Sequence, residues 1–215
     1  MAVKLPNGAT IEHAATYAAA LPFSAISNAS EAICTVVGAT LVVGDIVLVV
    51  SGWTALNNKV VRVKAATATA ITLEAIDTTS TSIYPVGSGV GSLKKVLTWV
   101  QIPQVTDFAS AGGDQNYADV AFLESAQGFQ IPTDKSAASM TITVADDPSL
   151  PYVPVVNAAD LAQSVQAVRM NLPGLDKIYY GVYTSISQQP AMARNNVMTK
   201  TVSMALQASI TRYLS

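Results

Sequence analysis

Apolar and polar positions alternate along most of this chain with a period of two, the spacing of β-strands. Three short β-branched runs come first, at 45–51 (DIVLVVS), 58–66 (NKVVRVKAA) and 69–77 (TAITLEAID). They are close enough together to form a compact meander. A Ser/Thr/Gly/Pro stretch follows at 77–92 and reads as an ordered excursion. Residues 32–92 together predict a small barrel-like module. Longer strands are expected at 94–105, 115–125, 138–147, 166–173, 176–187 and 196–210, with a loop at 126–137. In 138–147 Met140, Ile142 and Val144 share one face. In the last strand Met198, Val202, Met204, Leu206, Ala208 and Ile210 share a face, whereas Thr199, Thr201, Ser203, Gln207 and Ser209 share the opposite one. That second face is polar yet uncharged. One helix is expected, at 157–165, capped by Asn157 with Asp160 in its first turn. The prolines at 148, 151 and 154 exclude a central strand just before it.

The run from Ile46 to Val50, continued by Trp53, is too short to cross a bilayer, which takes about 20 apolar residues. It predicts a central strand of the module, apolar on both faces because it packs inside and against a neighbour. The first residues lack the uninterrupted apolar core of a signal peptide, since Asn7, Glu12 and His13 break it. The expectation is a soluble, unprocessed chain made in the cytosol.

Charge changes the picture more. Only 12% of the 215 residues are charged, 12 basic against 14 acidic, about half the share of an ordinary soluble domain. No basic footprint for nucleic acid is present. So much uncharged surface predicts an obligate assembly, with subunit contacts covering what charge does not protect. Cys34 is the only cysteine, which excludes an internal disulfide framework and fits a small buried apolar residue.

Catalytic and metal chemistry find little to build on. His13 is the only histidine; it falls in an expected N-terminal arm, which points to a surface or interface role. One histidine and one cysteine give no pair at metal-ligand spacing. Asp146 and Asp147 adjoin, but neighbours on a strand face opposite ways, and Asp147-Pro148 reads as a strand-ending turn. GSGVGS (87–92) lacks the Gly-Lys-Ser/Thr ending of a phosphate loop and opens no helix. The Asn28-Ala29-Ser30 sequon has no secretory route to serve it. Trp53, Trp99 and the tyrosines are scattered among apolar strands, as core or interface anchors are. No enzyme, cofactor or metal is expected.

The order of these phrases carries a resemblance. PNGA (6–9) precedes VVGDIVLVVSGWTALNNKVVRVKA (42–65) and GSGVGSLKKVLTWVQI (87–102). FLESAQGFQIPTDKSA (122–137), ITVADDPSLP (142–151), one helix and GVYTSISQQPAMARNNVMTKTVSMALQ (181–207) follow. Over nearly its whole length the chain resembles the tail tube (major tail) proteins of long, non-contractile-tailed bacteriophages. The resemblance implies a mainly β fold of two packed antiparallel sheets with one flanking helix, plus the small inserted β-barrel-like module. It implies a division into an N-terminal arm and first strand (1–31), the insert (32–92) and the remainder of the core (93–215). Six copies would join edge to edge into a ring around an inner β-barrel, and rings would stack into a hollow tube. The loop at 122–137, with Phe122, Leu123, Glu124, Phe129, Ile131, Asp134 and Lys135, would reach the neighbouring ring, as would the N-terminal arm. The insert would be a decoration outside or between subunits.

Implied partners are copies of itself, the tape measure, tail terminator and distal tail proteins, and phage DNA passing without specific binding. No membrane insertion is implied, and the place is the virion tail after synthesis in the host cytoplasm. The uncharged face suits the bore: a lumenal lysine would recur in every copy and hold DNA through phosphate contacts and counterion release. Thr199, Thr201, Ser203 and Gln207 are the candidates for that wall. Their alternative placement is toward the outside or the helix. Tube proteins of contractile phages, pyocins and type VI secretion share the fold and stand as the alternative function. A virion carbohydrate-binding β domain is the second.

Overall fold

A computed structural model describes residues 7–124, 126–174 and 176–214. The strands run in chain order as β1 (Thr10–Tyr17), β2 (Leu21–Ile26), β3 (Ile33–Val36), β4 (Ile46–Ser51), β5 (Val60–Ala66), β6 (Ala70–Leu73) and the long β7 (Gly91–Ile102). Next come β8 (Val105–Ala111), β9 (Gln115–Val120), β10 (Phe129–Lys135) and β11 (Ser139–Ala145). The helix α1 (Tyr152–Ala162) precedes β12 (Gln166–Asn171), β13 (Lys177–Ile186), β14 (Thr199–Leu206) and β15 (Thr211–Tyr213). Every pairing is antiparallel. The chain is mainly β with one helix, as its periodicity predicts.

The first half of β7 closes a barrel. It pairs with β4 (Val47↔Lys95 to Ser51↔Gly91) and also with β2 (Leu21↔Leu93). The order β2-β3-β6-β5-β4-β7 thereby returns on itself. The ring takes in residues on both sides of the 32–92 segment. Closure leaves this unit no open edge to template another strand. β4 explains the long apolar run: Val47 and Val49 point into the barrel core with Trp53 and Leu93. Ile46 and Leu48 point outward and pack with Val60, Ala167, Tyr179 and Tyr213. Both faces are apolar because both are buried, the second against the chain's own main sheet. Cys34 lies fully buried in the barrel, where desolvation pushes its thiol up to about 12.

The rest folds into two layers that share β13. Its first half pairs with β12 (Lys177↔Asn171 to Val182↔Gln166) and its second half with β14 (Val182↔Leu206 to Ile186↔Val202). One layer is β7-β1-β12-β13, with β15 added beside β13; the other is β13-β14-β11-β8. Between them Ile11, Ile102 and Val168 of the first layer meet Ile142, Val202 and Met204 of the second, and Tyr152 and Val156 of α1 complete the core. The barrel covers the outer face of the first layer. β15 clasps the two together: the Tyr213 hydroxyl accepts from the Arg62 N–H (3.0 Å) and donates to the Glu74 carbonyl (3.2 Å). Thr211 donates to the carbonyl of Val60, and the Arg62 guanidinium sits 4.6 Å over the Tyr213 ring.

The helix starts five residues before the expected 157. Pro151 occupies its N-terminal boundary and Pro154 its first turn. The first N–H groups of a helix have no partner within it, so a proline there removes nothing. Asn157 is therefore interior and Asp160 falls in the last turn. Gln163, with φ of 46°, closes the helix by donating to the Asp160 carbonyl.

His13 is not on an arm or surface. It lies on β1, 1% exposed, because β1 is a central strand of the first layer. Its Nδ1–H donates to the Ala14 carbonyl (2.7 Å), which leaves Nε2 to accept from the Thr184 hydroxyl (3.2 Å). That pattern needs the neutral ring, and burial lowers its pKa from 6.5. Folded chains thus refuse a proton that unfolded chains accept below pH 6.5. Stability from this group is complete above that value and is lost as pH falls toward the folded pKa, with a slope of at most about 1.4 kcal/mol per pH unit. Denaturant titrations between pH 7 and 5 should show this slope, and His13→Gln should flatten it.

Gly181 marks where the barrel meets the sandwich. A Cβ there would lie 1.9 Å from the carbonyl oxygen of Asn58. Gly181→Ala is expected to cost about 1–3 kcal/mol by overpacking, lowering Tm by roughly 2–12 °C. An unchanged melting curve would mean that the two units do not touch there.

Candidate functional site: a bare sheet face and a projecting arm

The outer face of the second layer is uncovered. On β14, Val202 and Met204 turn inward and are fully buried, so Thr199, Thr201, Ser203 and Ala205 turn outward. The register extends this face sideways. Thr143, Thr141 and Ser139 of β11 stand opposite Thr201, Ser203 and Ala205. Ser185 and Tyr183 of β13 stand opposite Ser203 and Ala205, and Asp107, Ala109 and Ala111 of β8 stand opposite Thr143, Thr141 and Ser139. The result is a four-strand surface of hydroxyls and methyls with Asp107 as its one charge among these residues. Lys200 points the other way, 3.0 Å from Asp146. Gln207 lies just past β14, exposed, its N–H donating to the Gly181 carbonyl (2.9 Å). The sequence pointed to β14 alone; the strict alternation of 138–147 already held Thr141 and Thr143, but only the register unites the four strands.

Among the described residues no further strand pairs at either side of this surface, although α1 packs near the β13 side. β8 pairs only with β11, and Tyr183–Ile186 of β13 pair only with β14. A cleft of ≈620 Å³ adjoins that end of β13, between Ser139, Ser185 and Ser203 on the sheet and Asp160 and Gln163 from the helix end.

Beyond β8 and β11 the chain continues as a second, separate sheet, the ribbon β9–β10. Gly112 and Gly113 make the bend with φ of 78° and 84°, values that favour glycine; a Cβ on Gly112 would also lie 2.0 Å from the Ala137 carbonyl oxygen. The expected loop 126–137 is therefore largely strand β10, and the expected strand 115–125 stops at Val120. Every residue of β10 is exposed, so no burial period could reveal it. Pro132 fits because a two-stranded ribbon has outer edges where no ladder N–H is lost.

The arm gathers the residues expected at 122–137. Phe122 and Phe129 have ring centroids 5.8 Å apart, Leu123 is 104% exposed, and Tyr117 and Ile131 are exposed beside them. Asp114, Asp119, Glu124 and Asp134 oppose the single base Lys135 on this segment. Asp134 sits below the usual carboxylate range, held by hydrogen bonds from Asn116, its own backbone N–H and Thr133. A two-stranded ribbon is marginal by itself, and an exposed apolar patch of this kind marks a contact surface.

The remaining sequence candidates fall into structural roles. Asp147 accepts from Ser149 in a turn; GSGVGS runs into β7 rather than a helix. Trp53 is in the barrel core, and Trp99 lies under the Arg169 guanidinium at 4.6 Å. Among the described residues no group of three or more His, Cys, Asp or Glu could hold a metal, and no helix is long and apolar enough to cross a membrane.

Comparison with known proteins gives these surfaces a context. A family model described as phage tail tube protein, TTP, matches residues 51–215. No curated protein matches the chain. Solved structures that match part of this chain include the tail of an empty GTA particle refined with C6 symmetry, at TM-score 0.42 and 14% identity, covering 53% of this chain and 84% of that one. The tube-terminating cap of the anti-feeding prophage matches at TM-score 0.38 and 16% identity, over 54% and 83%. Its six-fold symmetrised baseplate matches at 0.41 and 10%, over 55% and 86%. With most of its length matched by the family model, the chain belongs to the phage tail tube protein family, a structural component of the virion tail.

Proposed function

We propose that copies of this tail tube protein join edge to edge into six-membered rings, that rings stack, and that the uncovered face of the second layer lines the bore through which phage DNA leaves. One observation carries the assignment of faces. The outer face of the first layer is buried under the chain's own barrel, so among the described residues the second layer offers the only broad outer sheet face left free. Thr199, Thr201 and Ser203, joined by Ser139, Thr141, Thr143 and Ser185, are the wall, and Gln207 stands at its margin. A wall of hydroxyls and methyls gives DNA phosphates no fixed cation to pair with.

The open edges support ring closure. β8 of one copy and the second half of β13 of the next can complete each other's hydrogen bonds, removing edges that otherwise invite uncontrolled pairing. The division into 1–31, 32–92 and 93–215 belongs to this proposal. The insert rides on the outside, across the sandwich from the wall, and the closed barrel it builds with β2 and β7 offers no free edge to the shared sheet. Phe122, Leu123, Glu124, Phe129, Ile131, Asp134 and Lys135 reach the adjacent ring, along with the N-terminal arm, of which residues 1–6 lie outside the described residues. Tape measure, tail terminator and distal tail proteins complete the tail, and the chain is made in the host cytoplasm before assembly. The role is structural and not enzymatic.

Ser203→Lys tests the wall. The side chain is exposed, so folding and tube formation should be kept, whereas DNA ejection should slow roughly tenfold at low salt and recover as salt rises. Ejection at the unmodified rate at every salt concentration would refute this wall assignment.

A further inference from the structure

The arm's chemistry specifies its receptor. Its exposed aromatic and aliphatic side chains need an apolar seat, and its excess of carboxylates needs a cation that is not already engaged. Most bases of the body are engaged: Arg62, Lys64, Lys95, Arg169, Lys200 and Arg212 each hold a carboxylate. Among the described residues, apart from Lys135 on the arm itself, Lys59, Lys94, Lys177 and Arg194 hold none.

Four clefts stand out on the described surface, and charge separates them. The cleft beside β13 carries Asp160, and one of ≈780 Å³ at the β7–β8 corner carries Asp107. A third, of ≈420 Å³ beneath α1, has only the buried neutral His13. The fourth, of ≈520 Å³, lies where the barrel meets the sandwich and is lined by Tyr17, Val50, Asn58, Lys94, Val165 and Tyr183, among others. Val50 is the one exposed residue of β4 and is 38% exposed; Tyr183 is 42% exposed. Lys59 follows Asn58 in the chain, half-buried, its pKa lowered by desolvation. Of the four, this cleft alone joins an apolar floor to an unpaired cation.

Topology brings the arm of another copy to it. The arm springs from β8, at one margin of the second layer, whereas the cleft borders β13 at the opposite margin. An arm therefore stands away from its own cleft. In the tube reading the arm reaches the adjacent ring, so the cleft within its reach belongs to another copy.

We propose that the arm tip of one copy docks into the barrel–sandwich cleft of another, Phe122 and Leu123 on the floor and Asp119 and Glu124 toward Lys94. The proposal rests on the tube reading above, and in it the insert builds half of the arm's receptor. Two experiments on the full chain test it. In Leu123→Cys/Val50→Cys chains assembled into tubes and mildly oxidised, a ladder of disulfide-linked oligomers is expected on a non-reducing gel. Buried Cys34, with its raised thiol pKa, does not compete. Lys94→Glu should slow polymerisation at least tenfold without changing the melting curve, and Asp119→Lys with Glu124→Lys should restore it. Tubes that form but run as monomers on the gel, or Lys94→Glu chains that polymerise at the unmodified rate, would overturn the docking and leave the tube standing. Failure of the unmodified chain to form tubes under any condition would overturn both.

Discussion

The divided hydrogen bonding of β13 is the constraint on which this architecture depends. Its ladder passes from β12 to β14 at Val182, and that exchange turns one sheet into two layers with a common core. Buried backbone groups must find partners, so the strand cannot end where the first layer ends; it has to be taken up by β14. β7 repeats the device, serving the barrel with its first half and β1 with its length from Val96 to Ile102. Two shared strands thus connect barrel, first layer and second layer without a flexible joint. Gly181, beside the exchange point, lets the barrel backbone approach closely enough to cover one outer face.

Covering one face defines the other. The aromatic and cationic groups concentrate at the covered side: Glu12 pairs with Arg169, which lies over Trp99, and Tyr179 links Trp99 to Tyr213 under Arg62. Exposed ion pairs contribute little each, but these half-buried ones tie side chains of β1, β12, β7 and β5 into one contact. What remains outside is a hydroxyl-rich sheet face nearly without charge, two unpaired strand edges, and an arm that carries exposed apolar side chains and an excess of carboxylates. Each is costly for an isolated chain and useful for an assembled one.

Much of this was legible in the residues. The alternation of 138–147 and 196–210 marked β11 and β14 and their inward faces, and the apolar run at Ile46 marked a strand buried on both sides. The tail tube resemblance carried the two-layer fold. Three features escaped because their causes are not local. β10 is exposed throughout, so its strand character comes from pairing with β9 and not from burial. The helix begins among prolines that spoke only against a strand there, although a helix's first turn tolerates them. His13 looked peripheral because the depth of β1 depends on pairing with β7 and β12, both distant in the chain. The wall candidates lay on one strand in the sequence; the cross-strand register extended them to four.

The second layer, on this account, is an unfinished sheet completed by copies of the same chain. Amide hydrogen exchange compared before and after polymerisation tests that claim most directly. The outward amides of β8 and of Tyr183–Ile186 are predicted to exchange freely in the dispersed chain and to become strongly protected in tubes, while the barrel strands hardly change. Edges already protected in the dispersed chain, or still exchanging freely in finished tubes, would contradict it.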